Sequence, residues 1–368
     1  MISPRTQHLL TPRACRAVTP RAGRRASFVR GLAGVLLAIG ALAACDDRTQ
    51  PGPRAVVTNE DDGTVAVIDL RSYELIATIP VGNRPRGLRA SRDGRTLYVA
   101  LSGSPKAGPG VDVSTLPPAD RTADGIGVVD LEKRALVRTI PSGQDPEGID
   151  LVGDHLLVVS NEETAEASIV DLVAREVRTR VPVGGEPEGV ATAPDGAVWI
   201  TSEADHHVTV IDPLRGSVVS RIATGQRPRW IAFTPDGAYG LITGESDGSV
   251  TVVDARERAE VRRIELPRDG SGASGPRPVG IVVDPGGRHA YVATGRGGSI
   301  AVIDIPSWRV SRVIENVGMR PWGLALTRDG RLLTANGPSD DVSVIDPKTG
   351  RVVRRVRTGG SPWGVIVL

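Results

Sequence analysis

Residues 187–222 read PEGVATAPDGAVWITSEADHHVTVIDPLRGSVVSRI, and this stretch decides the fold. Four short runs rich in β-branched and aliphatic residues are bounded by Gly, Pro and Asp, a pattern that predicts four strands joined by tight turns. We name these strands a to d. Strand a is innermost and begins at Pro187-Glu188-Gly189, the turn Pro194-Asp195-Gly196 joins a to b, and Asp212 begins the turn from c to d.

The same unit recurs along the chain. Strand c closes on an aspartate seven times: Asp69, Asp130, Asp171, Asp212, Asp254, Asp304 and Asp346. A Pro-x-Gly-like step follows each one, at Pro85, Pro146, Pro187, Pro228, Pro278, Pro321 and Pro362. The period is about 41 residues with two insertions, and a repeat of this length with several short strands is typical of a propeller.

The two ends of the repeat region complement each other. It begins with strands b, c and d within residues 56–79 and ends with a lone strand a at residues 364–368. We therefore predict an all-β, seven-bladed β-propeller over residues 54–368, built from four-stranded antiparallel blades. The C-terminal strand is expected to pair into the N-terminal blade, which would leave no open sheet edge.

Residues 1–44 have a different composition. They carry seven Arg and no acidic residue, followed by an apolar run over residues 32–44 that is too short to span a bilayer comfortably. The run ends in Leu42-Ala43-Ala44-Cys45, which resembles a bacterial lipobox. We predict a removed lipoprotein-type signal peptide (1–44), lipidation at Cys45 and a lipidated tether (45–53). A plain signal peptide with an accidental cysteine is the alternative.

This leader predicts an exported protein that is lipid-anchored to a bacterial membrane and faces the periplasm or the cell exterior. The leader holds seven of the 45 basic residues, so the 43 acidic residues outnumber the basic ones in the remainder. That balance argues against nucleic acid as a partner. We expect a monomer that meets the membrane through its lipid and a protein or a small cationic ligand through one face of the propeller.

The repeat resembles the YVTN family of β-propellers. Its units stand here as Val56-Val57-Thr58-Asn59, then a Val-x-Val-Ile-Asp strand at residues 65–69, then Thr78-Ile79-Pro80-Val81-Gly82. The resemblance covers roughly residues 54–368 and implies the fold. For function it implies several classes, because such propellers include surface-layer proteins, periplasmic binding proteins and subunits of redox enzymes, and fold alone does not decide among them.

One face of the propeller is expected to carry the function. Antiparallel strands put the d–a and b–c loops on one face, and both insertions, at residues 101–124 and 268–276, fall there. Insertions in repeat proteins often collect on the binding face, which we call the top face. Two sets of positions lie at the channel mouth on this face: the residue after each repeat proline and the residue just past each strand b.

These positions predict a mouth that is acidic on one side and apolar on the other. The acidic side is expected in blades three to five and the apolar side in blades six, seven and one, which offer Val279, Trp322 and Trp363. Trp230 replaces the Gly of its Pro-x-Gly step and is expected to fill the channel or to pack beside it. The predicted ligand-binding residues are Glu60, Arg86, Glu147, Glu162, Glu188, Arg229, Glu245, Trp322 and Trp363.

A divalent metal is a possible cofactor of the acidic side, either Ca²⁺ or a transition metal, because carboxylates and imidazoles are common ligands of such ions. The predicted metal ligands are Glu188, Glu203, His206 and His207. The competing interpretation is that the glutamates form ion pairs on a solvated rim, with Arg84, Arg86, Arg227 and Arg229 as partners.

Three functions follow from these patterns. The first is a non-catalytic binding module that is tethered to a membrane, because no nucleophile elbow, metalloprotease motif, P-loop or dinucleotide fingerprint occurs. The second is a metal-assisted hydrolase, for instance of lactones, with a glutamate as general base. The third, which the family resemblance allows, is an accessory subunit of a periplasmic redox or quinone-cofactor dehydrogenase. The sequence favours the first and leaves open whether the protein is an enzyme.

Overall fold

The computed structural model describes residues 52–106, 111–268 and 275–368. The predicted leader, Cys45 and most of the predicted tether lie outside the described residues. The described chain forms seven four-stranded antiparallel sheets, which confirms the predicted all-β propeller. None of the helices among the described residues is long and apolar enough to cross a membrane.

Each sheet is one blade, and its strands follow the predicted order from the channel outward. With the innermost strand first, the first blade contains β28 (Pro362–Val367), β1 (Arg54–Asn59), β2 (Thr64–Asp69) and β3 (Glu74–Pro80). The second contains β4 (Leu88–Ala90), β5 (Thr96–Leu101), β6 (Gly125–Asp130) and β7 (Ala135–Ile140). The third contains β8 (Pro146–Val152), β9 (Leu156–Asn161), β10 (Glu166–Asp171) and β11 (Glu176–Pro182), and the fourth contains β12 (Pro187–Thr192), β13 (Val198–Ser202), β14 (His207–Asp212) and β15 (Ser217–Ala223).

The remaining three blades have the same order: β16 (Pro228–Phe233), β17 (Tyr239–Gly244), β18 (Ser249–Asp254) and β19 (Ala259–Glu265); β20 (Ile281–Val283), β21 (His289–Ala293), β22 (Ile300–Asp304) and β23 (Arg309–Ile314); β24 (Pro321–Leu326), β25 (Leu332–Asn336), β26 (Asp341–Asp346) and β27 (Arg351–Arg357). Single 3₁₀ turns occur in the loops, at Val113–Thr115, Arg121–Ala123, Gly295–Gly297 and Gly337–Ser339.

The first blade joins the two ends of the repeat region. Strand β28 pairs antiparallel with β1, and Ala55 lies opposite Val367. The amide of Arg54 donates to the carbonyl of Leu368 at 3.2 Å, and the amide of Leu368 donates back to Arg54 at 2.8 Å. The inner edge of β1 is therefore paired, as the sequence predicted.

The hydrophobic core lies within and between the blades and consists mainly of Val, Ile, Leu and Ala. Strands b and c are almost fully buried, whereas the outer strands d, such as β15, bury few side chains. Trp199 is larger than these aliphatic side chains but is buried among them. It packs edge-to-face against Phe233 with ring centroids 5.1 Å apart. Trp199 therefore belongs to the core and not to the mouth.

The repeat aspartates serve the turns between strands c and d. The Oδ1 atom of Asp69 accepts hydrogen bonds from the amides of Arg71 and Ser72, at 2.8 and 2.9 Å. The Ser72 amide bond is the largest influence on the pKa of Asp69 and holds it below its usual value. Asp171 and Asp212 make the same pair of bonds. These aspartates are turn residues, which confirms that interpretation of the repeat.

A buried hydroxyl connects each of four blades to the next. Thr201 of strand b accepts from the amide of Gly189 in its own blade at 2.7 Å and donates to the carbonyl of Arg229 in the following blade at 3.1 Å. Thr58, Ser160 and Thr243 bridge the carbonyls of Arg86, Glu188 and Val279 in the same way, at 2.9, 2.7 and 2.7 Å. In these four cases the bond fixes the backbone of the residue that follows the repeat proline.

The glycine of the Pro-x-Gly step permits this close approach of neighbouring blades. A Cβ atom at Gly148 would lie 2.1 Å from the carbonyl oxygen of Glu188, and one at Gly189 would lie 2.2 Å from that of Arg229. Both distances are below any normal van der Waals contact. Trp230 occupies the corresponding position of the fifth blade, and its amide still donates to Thr243 at 3.0 Å.

Candidate functional site

In five blades the residue after the repeat proline enters strand a through a bulge. The register between β12 and β13 shifts between Pro187 and Val190, and equivalent shifts occur at the start of β8, β16, β24 and β28. A bulge re-aims the side chain at its centre. This local geometry places Arg86 and Arg229 against glutamates that follow strands b, among them Glu60 and Glu203.

The residues directly before the repeat prolines form a third set of positions at the mouth. From the sequence, two of them, Arg84 and Arg227, are expected only as ion-pair partners of the glutamates. In six blades this non-glycine residue has a positive φ, between 41° and 58°: Arg84, Asp145, Glu186, Arg227, Arg320 and Ser361. Such backbone conformations are costly for residues other than glycine and collect at functional sites. Each of these residues directly precedes a repeat proline, so the prolines in the sequence identify their positions.

The Arg86 cluster lies over blades one to three. It comprises Arg86 and the charged side chains around it, which are Glu60, Arg84, Lys106, Asp145, Glu147 and Glu162. Arg86 contacts Glu147 through Nη1 and donates from Nε to Glu60 at 3.0 Å. Arg84 and Lys106 each lie 3.2 Å from Glu60, and Arg84 lies 3.8 Å from Asp145.

The two ends of this cluster have opposite pKa shifts. Burial is the largest influence on Glu60 and favours its neutral form, but Arg86, Arg84 and Lys106 together outweigh it and lower its pKa to about 2. Burial also raises the pKa of Glu162, and there Arg86 only partly offsets it, because Asp145 and Glu188 add to the rise. Glu60 is therefore a charged ion-pair partner, whereas the raised pKa of Glu162 makes that carboxyl group a stronger base than an ordinary glutamate.

Glu162 is also the accessible acid of this group. Its side chain is 41% exposed, whereas that of Glu147 is 1% exposed, and its Oε2 atom lies 4.0 Å from Nη1 of Arg86. Glu147 has a buried Oε2 atom with no hydrogen-bond partner among the described residues. The cluster therefore combines a buried ion pair with one carboxyl group that water can reach.

The Arg229 cluster lies over blades four to six. We define it as Glu188, Glu203, Arg227, Arg229, Glu245 and Arg277. The guanidinium of Arg229 contacts Glu203, lies 2.6 Å from Glu188 and lies 3.7 Å from Glu245. Arg227 joins the same acids, at 2.5 Å from Glu203 and 3.3 Å from Glu245. Arg277 lies 3.5 Å from Glu245.

The apolar side of the mouth is built from tryptophans. Trp230 packs edge-on against Trp363 with ring centroids 5.6 Å apart, and Trp322 lies 6.2 Å from Trp363. Arginines lie over these rings: Arg229 and Arg320 are 5.1 and 4.6 Å from Trp322. Trp322 also has a buried Nε1 donor without a hydrogen-bond partner among the described residues. Trp230 therefore fills part of the channel, one of its two predicted roles.

Two cavities meet at these rings. The mouth cavity, of about 270 Å³, is lined on its polar side by Glu60, Arg86, Lys106 and Arg320. The channel cavity, of about 440 Å³, runs along the inner strands of blades five, six, seven, one and two. Trp322 and Trp363 line both cavities. A compartment with several charged side chains on its wall and a compartment lined mostly by apolar side chains therefore share an aromatic wall.

The predicted metal ligands do not form one group. Glu188 and Glu203 both contact Arg229. His206 places Nδ1 2.9 Å from the carbonyl of Glu203, and His207 places Nε2 2.9 Å from the hydroxyl of Thr209. Within the part of the chain that the structure describes, the group whose ligand atoms lie within 4.8 Å of one another is Asp145, Glu147 and Glu162.

The Asp145, Glu147 and Glu162 group offers oxygen ligands that could hold a metal, but guanidinium groups already lie against it. Arg86 contacts Glu147, and Arg84 lies 3.8 Å from Asp145. A divalent ion would have to displace these cations, so the geometry fits arginine better than it fits Ca²⁺. The competing sequence interpretation, ion pairing with Arg84, Arg86, Arg227 and Arg229, describes the contacts correctly. The rim is not solvated, however, because most of these acids are buried.

Comparisons with known proteins agree with this fold. Residues 199–368 match a family model described as "Lactonase, 7-bladed beta-propeller", which is less than half of the chain. This region includes Glu203, Arg229, Glu245, Trp322 and Trp363 but not the Arg86 cluster. No curated protein matches the sequence. The resemblance to the YVTN family stays a prediction.

Solved structures give the same architecture at low identity. A hydrazine synthase from Kuenenia stuttgartiensis is 19% identical with a TM-score of 0.65, over 79% of this chain and 91% of that chain. A putative 6-phosphogluconolactonase from Bacteroides uniformis is 17% identical with a TM-score of 0.68, over 86% and 100%. A functionally unknown protein from Desulfotomaculum acetoxidans is 15% identical with a TM-score of 0.67, over 84% and 99%. At these identities the likenesses concern the fold alone.

Proposed function

We propose that this protein is a hydrolase that opens a lactone, a cyclic ester, at the mouth of the central channel. The observation that carries the proposal is the pairing of Glu162 with Arg86. Glu162 is a water-accessible carboxyl group with a raised pKa, and it lies 4.0 Å from a guanidinium that neighbouring acids hold in place. A concave site with convergent polar groups and a perturbed pKa is the expected setting of a catalytic acid or base.

In this mechanism the carbonyl oxygen of the lactone lies against Arg86. Arg86 donates to Glu60 from Nε and contacts Glu147 through Nη1, and we assign its Nη2 donors to the lactone. Those donors would stabilise the negative charge that develops on the carbonyl oxygen when the tetrahedral intermediate forms. Because Glu60 and Glu147 fix the guanidinium beforehand, little reorganisation is needed during the reaction.

Glu162 acts as the general base in its ionised form. It takes a proton from a water molecule while the water oxygen bonds to the carbonyl carbon. The intermediate then collapses, the ring C–O bond breaks, and the departing alkoxide takes the proton back from Glu162. The products are a hydroxy acid and the original carboxylate, so the cycle needs no resident metal.

The comparisons support this proposal over a purely structural role. The C-terminal part of the chain matches a lactonase-type propeller model, and one similar structure is described as a putative 6-phosphogluconolactonase. The Arg229 cluster and the tryptophans, which complete the opposite side of the mouth, lie in the matched residues.

The test is hydrolysis of a panel of five- and six-membered lactones, measured through the acid that ring opening releases. We expect Glu162→Gln to lower kcat by about 10²–10⁴-fold, the usual contribution of a general base. Glu163→Gln is the matched control, because that neighbouring side chain is 53% exposed and pairs with Arg121 instead. Equal rates for the two variants would remove Glu162 from the mechanism. If the wild-type protein hydrolysed none of these lactones, the hydrolase proposal would fail and the non-catalytic binding module would be the preferred function.

Anchoring is a separate proposal. We propose that Cys45 is lipidated after export and that the propeller works outside the cytoplasm, on the basis of the basic leader and Leu42-Ala43-Ala44-Cys45. Metabolic labelling with a fatty acid should mark the wild-type protein. Cys45→Ala should abolish the label and release the protein from the membrane fraction. A labelled Cys45→Ala variant would contradict lipidation at this residue.

A further inference from the structure

We infer that the substrate of this site is amphiphilic: its lactone head binds at Arg86, and an alkyl or aryl tail enters the channel cavity behind the tryptophans. This inference rests on the proposed function and names the substrate class. It starts from the two cavities, because Trp322 and Trp363 line both of them. A ligand whose head lies in the mouth cavity therefore meets the entrance of the channel cavity at these two rings.

The channel cavity has the size and lining of a small-molecule site. Its volume of about 440 Å³ falls within the range of about 300–1,000 Å³ that is usual for such sites. Aliphatic side chains of four inner strands contribute to the wall, among them Ile231, Ile281, Leu324 and Val365. Burial of apolar ligand surface against these groups would favour binding.

Polar groups of the inner strands are directed to the other side of the channel. Arg89 lines the cavity, but its guanidinium lies 2.7 Å from Asp150 of the third blade. Asp150 also accepts from the amide of Thr192 at 2.7 Å. This charged pair therefore lies on blades two and three, and the side chains of blades five, six, seven and one leave an apolar side for the tail.

Trp230 gives the cavity its length limit. Six blades have glycine at the third position of the Pro-x-Gly step, and the fifth blade has Trp230. Its indole packs across the channel against Trp363 of the first blade. The indole therefore takes up channel space that a glycine would leave open, and it limits how long a tail can be.

Arg86 connects the head and the tail. Its guanidinium lies 5.8 Å from the ring centroid of Trp363 while it contacts Glu147. A carbonyl group bound at Arg86 thus lies at the aromatic wall and not at the outer edge of the propeller.

The experiment separates binding from turnover. The probes are γ-lactams with alkyl chains of increasing length, which share the ring shape of lactones and resist hydrolysis. Quenching of tryptophan fluorescence gives Kd for each lactam, and kcat/KM is measured for the matching γ-lactones. We expect affinity to rise by up to about fourfold per added methylene, the equivalent of ~0.8 kcal/mol per buried CH₂, until the cavity is full.

Trp230→Gly tests the position of the tail. This variant restores the residue that the repeat uses elsewhere, so longer chains should continue to gain affinity beyond the wild-type limit. Trp308→Gly is the control: Trp308 packs against Tyr239 in the turn after β22, and its positive φ of 54° is one that glycine adopts without strain. It should leave the chain-length profile unchanged.

Each outcome decides the inference. Affinity that is flat with chain length, or a limit that Trp230→Gly does not move, would overturn it. Chain-length-dependent lactam binding without lactone hydrolysis would support the amphiphilic ligand and reject the hydrolase. Hydrolysis of short lactones, with no gain in affinity or kcat/KM from longer chains, would support the hydrolase and reject the amphiphilic substrate.

Discussion

Trp230 of the fifth blade reaches across the central channel and packs edge-on against Trp363 of the first blade, with ring centroids 5.6 Å apart. These residues come from opposite sides of the ring, so their contact lies across the channel and takes up part of the channel cavity. Most of the acidic groups at the mouth are buried, and their pairing with arginine is the basis of the first two predictions.

Arg229→Ala should destabilise the propeller strongly. The substitution leaves the buried carboxylates of Glu188 and Glu203 without their main cation, and breaking such a buried pair typically costs about 3–5 kcal/mol of unfolding free energy. Urea unfolding would measure the change. The control Arg256→Ala removes an arginine whose side chain is 93% exposed, and its effect should be near zero. Similar midpoints for the two variants would contradict the role of Arg229.

Glu60 should make stability depend on pH in acid. Its folded pKa of about 2 lies below the usual 4.5, so its contribution is present above about pH 4.5 and is lost as pH falls toward 2. The stability difference between the wild type and Glu60→Gln should therefore shrink by about 3 kcal/mol over that range. Urea unfolding at several pH values would measure it. Glu257→Gln, at an exposed site, should show no such convergence.

Asp145→Asn should move the acid limb of the pH–rate profile to lower pH. The negative charge of Asp145 adds to the rise in the pKa of Glu162, and its removal makes the base easier to ionise. The profile of kcat/KM for a γ-lactone measures the shift. Asp154→Asn, on the opposite face, should leave the profile in place. An acid limb that stays fixed or moves upward in Asp145→Asn would exclude Glu162 as the titrating group.

Thr201→Val should weaken the connection between blades four and five. It leaves the amide of Gly189 and the carbonyl of Arg229 without this buried partner, for an expected cost of about 1–3 kcal/mol in unfolding free energy. Thr201→Ser keeps the hydroxyl and should lose clearly less. Equal losses would attribute the effect to the missing methyl group and not to the hydrogen bonds.

Chelation should leave lactone hydrolysis intact, because Arg86 and Arg84 occupy the cation positions beside Glu147 and Asp145. The measurement is kcat/KM before and after dialysis against EDTA, with elemental analysis of the same samples. Loss of activity on chelation, restored by one divalent ion, would show that a metal and not a guanidinium completes the site.

The sequence predicted the fold and the face because both follow from the period of the repeat. Once strand a begins at each proline, Glu147, Glu188 and Arg229 must lie at the same end of the channel. The pattern could not predict which charges meet, since that depends on side-chain directions at the bulges and on the positive φ of residues such as Asp145. The ring of His206 lies 2.9 Å from the carbonyl of Glu203, whereas His207 bonds to Thr209, and these hydrogen bonds keep the two rings out of a common ligand set.

The pairing of β28 with β1 also has a consequence for how the molecule folds. The amide of Gly364 in β28 donates to the hydroxyl of Thr58 in β1, a partner 306 positions away, whereas the other blades are each made from one continuous segment. Loop-closure entropy makes such a distant pairing slow to form. The six other blades can assemble from local contacts, and completion of the ring becomes the single long-range step. Point changes in β28 should therefore slow folding more than equivalent changes in β12.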